Sequence, residues 1–283
     1  MTLLLIRVLV APALVAAASL AQRRWGMAVG GRLIGLPLTS IPLLALMAYS
    51  NGDRFAAQAT TATLAGGIAA SVWCVAYVLA ARRHNPVVAG LGATAIFGLV
   101  ALALDHLALG TLVAAGASAL CLIGALAAWP ASRDDKRPAT HSRTELPIRM
   151  AVAAVFTFAI SSIAGSLGAR PAGLVSSLPV LTVVLAVAAH HQGGPAATNG
   201  FLRGVLSGSW SLVASLTVLA VMLPTFGAAL AFPAAVLSAV AAQWIAAQTG
   251  RPLPVPARAV AARPPFQRRM APTSQPIAAS TTE

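Results

Sequence analysis

Gly30-Gly-Arg32-Leu-Ile-Gly35-Leu36 opens a stretch that runs on through Pro42 and Gly67 to Trp73, and Gly168-Ala-Arg170-Pro-Ala-Gly173-Leu174 opens another that runs through Pro179 and Gly204 to Trp210. From the Pro to the Trp the two align without a gap, Ala59 opposite Ala196 and Thr61 opposite Thr198. Upstream, Ile6-Arg7 resembles Ile148-Arg149. Agreement among Gly, Ala and Leu is cheap in an apolar chain, but Trp, Pro and Arg are scarce here, and their coincidence at one nearly constant spacing predicts a duplicated unit.

The composition says what the units are made of. Of 283 residues 58% are hydrophobic and 9% charged, and the mean hydropathy is +0.82, far more apolar than a soluble domain. Leu107 to Trp129, Ala172 to Ala189 and Gly204 to Gln243 carry almost no charge, and a hydrocarbon core about 30 Å thick is crossed by roughly 20 apolar residues. Charged or Gly/Pro-rich breaks delimit nine expected spans: 3–20, 28–49, 56–81, 86–104, 107–129, 147–167, 172–190, 201–222 and 224–247. Their small residues suit close helix packing. Residues 1–20 are not read as a signal peptide, because Arg7 lies well inside the apolar run and the segment has its internal counterpart.

The net charge of +13, from 18 Arg and one Lys, sits in clusters between spans rather than in a patch for nucleic acid. Arg23 and Arg24, Arg82 and Arg83, the segment from Arg133 to Arg149, and the tail from Arg251 to Arg269 all fall on one side of the nine-span arrangement. The other side keeps Asp53, Arg54, Asp105, His106, Arg170 and the turn at Pro224. The positive-inside rule makes the Arg-rich side cytoplasmic, with the N-terminus outside and the C-terminus inside. An odd number of crossings then separates the second span from the seventh, so the copies face opposite ways.

The expected fold is an all-α integral membrane protein of about nine transmembrane helices, two inverted four-helix repeats joined by a linker helix, as in many secondary transporters. Its parts are the first repeat (1–104), the linker helix (105–130), a basic cytoplasmic loop (131–146), the second repeat (147–249) and a Pro- and Arg-rich tail expected to be disordered (250–283).

The candidate pathway lies where both repeats are interrupted. Arg32, Gly35, Pro37, Thr39, Ser40 and Pro42 in one, and Arg170, Pro171, Gly173, Ser176, Ser177 and Pro179 in the other, combine kink-forming residues with hydroxyls. Paired broken helices are where transporters bind solute, although Gly and Pro are common in membrane helices anyway. Arg7, Arg32, Arg149 and Arg170 stand near span heads, where Arg either snorkels to the interface or offers positive charge to an anion. His190-His191 is not expected to hold a metal, since adjacent helical residues diverge and no Cys or carboxylate is near in sequence. Trp73 and Trp210 are assigned to packing, and Cys74 and Cys121 suggest no disulfide.

Ala172-Gly-Leu-Val175, Pro179, His190, Gly194, Leu202-Arg203 and Ser209-Trp210-Ser-Leu212 resemble the GlpM family of small inner-membrane proteins, over about 60 residues of the second half and more weakly over residues 30–80. That resemblance implies a role in the envelope or in exopolysaccharide production. This chain differs as a fused, double-length form with a basic tail.

No phosphate-binding loop, zinc motif or nucleophile elbow is present. The acidic residues are Asp53, Asp105, Asp134, Asp135, Glu145 and Glu283, all in loops, span ends or the tail, so no membrane-buried carboxylate is expected to carry sodium or protons. An enzyme is not expected, nor a cofactor or metal. Two readings stand: a polytopic inner-membrane transporter or channel for a small solute, an anion if the repeated Arg pair lines the pathway between the inverted repeats, or a non-transporting accessory protein for envelope or exopolysaccharide production. Its expected partners are the lipid bilayer and that small molecule, not nucleic acid; the oligomeric state is open.

Overall fold

The computed structural model describes residues 2–130, 147, 150–152, 154, 155 and 169–249, with backbone alone at 2–12, Ala169, Ala172, Val175, Ser176, Ala247 and Thr249. The expected loop 131–146, most of the span 147–167, Arg149, the Arg7 side chain and the tail 250–283 lie outside the described residues. Among those residues every regular element is a helix. They are α1 (Thr2–Trp25), α2 (Met27–Ile34), α3 (Ser40–Asn51), α4 (Asp53–Ala80), α5 (Pro86–Leu107), α6 (Thr111–Ala127), α7 (Ala169–Ser176) and α8 (Val180–Thr249). Non-helical Gly194 and Gly227 divide α8 into limbs denoted α8a (180–193), α8b (195–226) and α8c (228–249).

Three of these helices, α4, α5 and α8, are long and apolar enough to cross a membrane. At 28 residues, α4 is about 42 Å long. It is also the most enclosed, and its Ala, Gly, Ser and Thr let α3, α5, α6 and α7 close around it. The hydroxyls of Thr60, Thr63 and Ser71 donate to the carbonyls of Ala56, Ala59 and Gly67, so these polar groups are satisfied without water. The outer helices turn apolar residues outward: Leu91, Leu99 and Leu102 on α5 and Leu237 on α8c are each more than 60% exposed. Such a surface fits lipid rather than water.

Local chemistry sets the ends. Asn85 caps α5, its side chain accepting from the Val88 N–H at 2.9 Å, with Pro86 at the first position, where its missing N–H costs nothing. Gly52 and Gly194 take positive φ, 87° and 66°, a conformation open to Gly without strain. The expected span 28–49 is instead two helices, because the ladder lapses between Gly35 and Thr39, around Pro37. The expected turn at Pro224 lies three residues early. Pro224 stays within the helix and the chain breaks at Gly227, φ 70°. The span expected from 107 begins at Thr111, since α5 ends in a left-handed Ala108.

The elements recur, at a spacing the residue matches did not show. Met27 and Ile34 bound α2 as Ala169 and Ser176 bound α7; Gly52 precedes α4 as Gly194 precedes α8b; and α5 starts at Pro86 as α8c starts at 228. Each pair is 142 positions apart. The match of Pro42 with Pro179 and Trp73 with Trp210 is 137 apart and does not superpose the elements. At the structural spacing it is Leu36-Pro37 that answers Leu178-Pro179, and Gly31 that answers Gly173.

Contacts follow the same spacing. α2 lies on α8b so closely that a Cβ on Gly31 would strike the Phe201 carbonyl, and one on Gly204 the Ala28 carbonyl. α7 lies on α4, where a Cβ on Gly173 would strike Ala59 and one on Gly66 would strike Ser177. Residues 59–66 stand as far past Gly52 as 201–208 stand past Gly194. In both seams residue numbers rise together. α6 runs beside α4 the same way, Thr111 at Thr61 and Ser118 at Leu64. At its far end Trp129 donates to Asn199 and Asn199 to the Pro130 carbonyl, at 3.1 and 2.9 Å, which places the end of α6 at the start of α8b.

Two apolar clusters form the core, and each draws on both halves of the chain. One gathers Trp73, Tyr77, Phe97 and Leu122 with Leu185, Phe201 and Leu206; the other gathers Leu44 and Leu64 with Leu216, Leu219 and Leu223. Trp73 is fully buried, donates to Thr94 at 3.2 Å and lies 5.1 Å from the Tyr77 ring, which meets His190 edge-on at 6.1 Å. Trp210 packs partly buried against the same cluster.

Candidate functional site

The start of α4 carries Arg54, Gln58, Thr61, Ala62 and Ala65 at spacings that share one helix face. That face, the α5–α6 turn from Leu104 through Ala108 to Thr111, Arg170 and Leu174 of α7, and Ala220 and Pro224 of α8b enclose a cavity of about 600 Å³. Both halves of the chain line it. Arg54, Arg170 and Pro224, read in the sequence as sharing the Arg-poor side, meet here.

The lining is cationic and hydrogen-bonding. Arg170 Nη2 donates to the Asp105 carbonyl at 2.7 Å, which orients the guanidinium and, among the described residues, leaves most of its five N–H groups for a ligand. Arg54 is exposed and has no hydrogen-bond or ion-pair partner among the described residues. Thr61 and Thr111 hydroxyls lie 2.8 Å apart; one donates to the other, whose own proton remains available. Gln58 adds an amide. Pro224 has no N–H, so the Ala220 carbonyl loses its usual helical donor, and both residues line the cavity. Among the described residues no Asp or Glu lines it. Such a set has the chemistry to receive a small anion through charge-assisted hydrogen bonds.

Of the expected pathway residues, the lining includes Arg170. Arg32 is half-buried and its Nε donates to Ser207 Oγ at 3.2 Å, across the α2–α8b seam. Gly35 meets the backbones of Val205 and Gly208, and Gly173 that of Ala59, so these glycines serve close packing. Thr63 donates to the Gly173 carbonyl at 3.2 Å. Thr39 and Pro42 are exposed, and Ser40 and Pro179 half-buried. Ser177 donates to the Leu174 carbonyl at 2.6 Å, the local bond that a helix-end hydroxyl makes. Ser176 ends α7, and its side chain lies outside the described residues. The broken segments therefore build the seams, and the cavity opens beside one of them.

Sequence reasoning missed Arg54, Gln58, Thr61 and Thr111 as lining residues. The signal was present in Arg54, Gln58 and Thr61 at i, i+4 and i+7 on an otherwise small and apolar helix. His190 is buried against Tyr77 with Nδ1 unpartnered, and no group of three metal-ligating side chains occurs among the described residues.

Set against protein-family models, curated proteins and solved structures, the chain matches none.

Proposed function

We propose that this is a polytopic inner-membrane protein that passes a small anionic solute between two four-helix units of opposite orientation, with the Arg54–Arg170 cavity as one mouth of the pathway. The observation that carries the reading is a cavity lined from both halves of the chain by two arginines and, among the described residues, no carboxylate. The recurrence of elements every 142 positions supports a duplicated unit. The opposed sense is supported by α6, which runs with α4 yet ends where α8b begins. Secondary transporters of this architecture bind solute between their repeats. An anion suits the lining because guanidinium groups keep their charge and offer several donors each.

The test is flux from proteoliposomes loaded in turn with chloride, nitrate and inorganic phosphate, at low and high salt. The wild type should release at least one of them, and Arg170→Gln and Arg54→Gln should each slow release about tenfold or more, the loss of one charge-assisted hydrogen bond. Release of no anion or neutral solute, together with a stable complex with an envelope protein, would instead fit the accessory role that the GlpM resemblance implies.

A further inference from the structure

The spacing of 142 carries the cavity residues to partners at the other end of the bundle. Thr61, Ala62 and Ala65 on α4 answer to Arg203, Gly204 and Ser207 on α8b, and Leu174 on α7 answers to Arg32 on α2. Leu174 and Ala65 are apolar and line the cavity. Their counterparts, Arg32 and Ser207, are hydrogen-bonded to each other at 3.2 Å. Thr61 answers to Arg203, which is exposed and has no hydrogen-bond or ion-pair partner among the described residues. Each corner thus has two guanidinium groups, one on a short helix or at its head and one on the long helix beneath it. In one corner they border open space; in the other, one of them is tied across the seam.

We propose that Arg32 and Arg203 form the second anion station of the pathway, and that the Arg32–Ser207 hydrogen bond latches this station shut while the Arg54–Arg170 cavity is open. The inference rests on the pathway reading above and adds its second end and its gate. A serine hydroxyl is a neutral acceptor for one N–H, whereas an anion adds an opposite charge and can take two guanidinium N–H groups at once. An anion arriving from the cavity therefore displaces Ser207 from Arg32 and opens the corner. Alternation between two such corners is the motion that opposed repeats make available.

The experiment reads one corner while altering the other. In a chain carrying Cys74→Ala and Cys121→Ala, Thr61→Cys reports cavity access to a membrane-impermeant thiol reagent, with and without Ser207→Ala, and chloride, nitrate and phosphate flux is measured in parallel on chains that keep Thr61. Breaking the latch should populate the state in which the far corner is open and the cavity closed. Labelling of Thr61→Cys should then slow about tenfold, the factor set by a hydrogen bond to a charged group. Arg32→Gln, which removes the other partner, should slow it likewise. Unchanged labelling in both variants, with wild-type flux intact, overturns the latch and leaves the pathway standing. Absence of flux from the wild type overturns both.

Discussion

The α2–α8b seam and the α7–α4 seam are built at the same register and finished with different side chains. On the first, Gly31 and Gly35 face Gly204 and Gly208, backbone rests on backbone, and Arg32 reaches across to Ser207. On the second, Gly173 and Gly66 keep the approach close, but Ala59, Ala62 and Ser177 stand where the first seam has bare backbone or different side chains, and a cavity lies alongside. One backbone arrangement thus supports a tied corner and an open one. Few positions separate them: Leu174 and Ala65 on the open side against Arg32 and Ser207 on the tied side.

Overpacking breaks the comparison most severely. Gly31→Val pushes a branched side chain into the Phe201 carbonyl, and Gly173→Val does the same at Ala59. Each should cost about 3 kcal/mol, seen as a lower thermal midpoint and less monodisperse protein in detergent. A large loss at Gly31 with none at Gly173 would show that the seams are not equivalent. Asn199→Ala comes next. It removes the hydrogen bonds to Trp129 and the Pro130 carbonyl that pin the end of α6 to the start of α8b, and should cost about 2 kcal/mol by the same melting measurement. Ser177→Ala should have the smallest effect, under about 0.5 kcal/mol, because among the described residues its hydroxyl serves only the Leu174 carbonyl beside it. Its flux should equal that of the wild type.

Much of this arrangement was legible in the residues, and the misreadings have physical causes. Helicity and apolar length follow from composition, and the interruptions fall where Gly35, Pro37 and Pro179 remove backbone order. The register was misread by five residues because Trp, Pro and Arg were weighted for their rarity. Trp73 answers to Ser215 and Trp210 to Ile68 at the structural spacing, since a large side chain can enter a shared core from several heights. What repeats is one glycine on each side of each seam, Gly31 with Gly173 and Gly66 with Gly208, and the Leu-Pro at each break. Arg170 was legible as a cation at a helix head. The spacing of Arg54, Gln58 and Thr61 marks one helix face, but four segments distant in sequence meet at the cavity, so only their packing makes that face, with Thr111, its lining.

Sidedness tests the central claim most directly. Gln58, near the start of α4, and Arg203, near the start of α8b, occupy comparable places on corresponding helices, and both are exposed. Each is replaced singly by Cys in a chain lacking Cys74 and Cys121, and reacted with an impermeant thiol reagent applied to one side of a sealed, uniformly oriented membrane and then to the other. Opposed units predict that the two cysteines react from opposite sides; reaction of both from the same side would contradict the account.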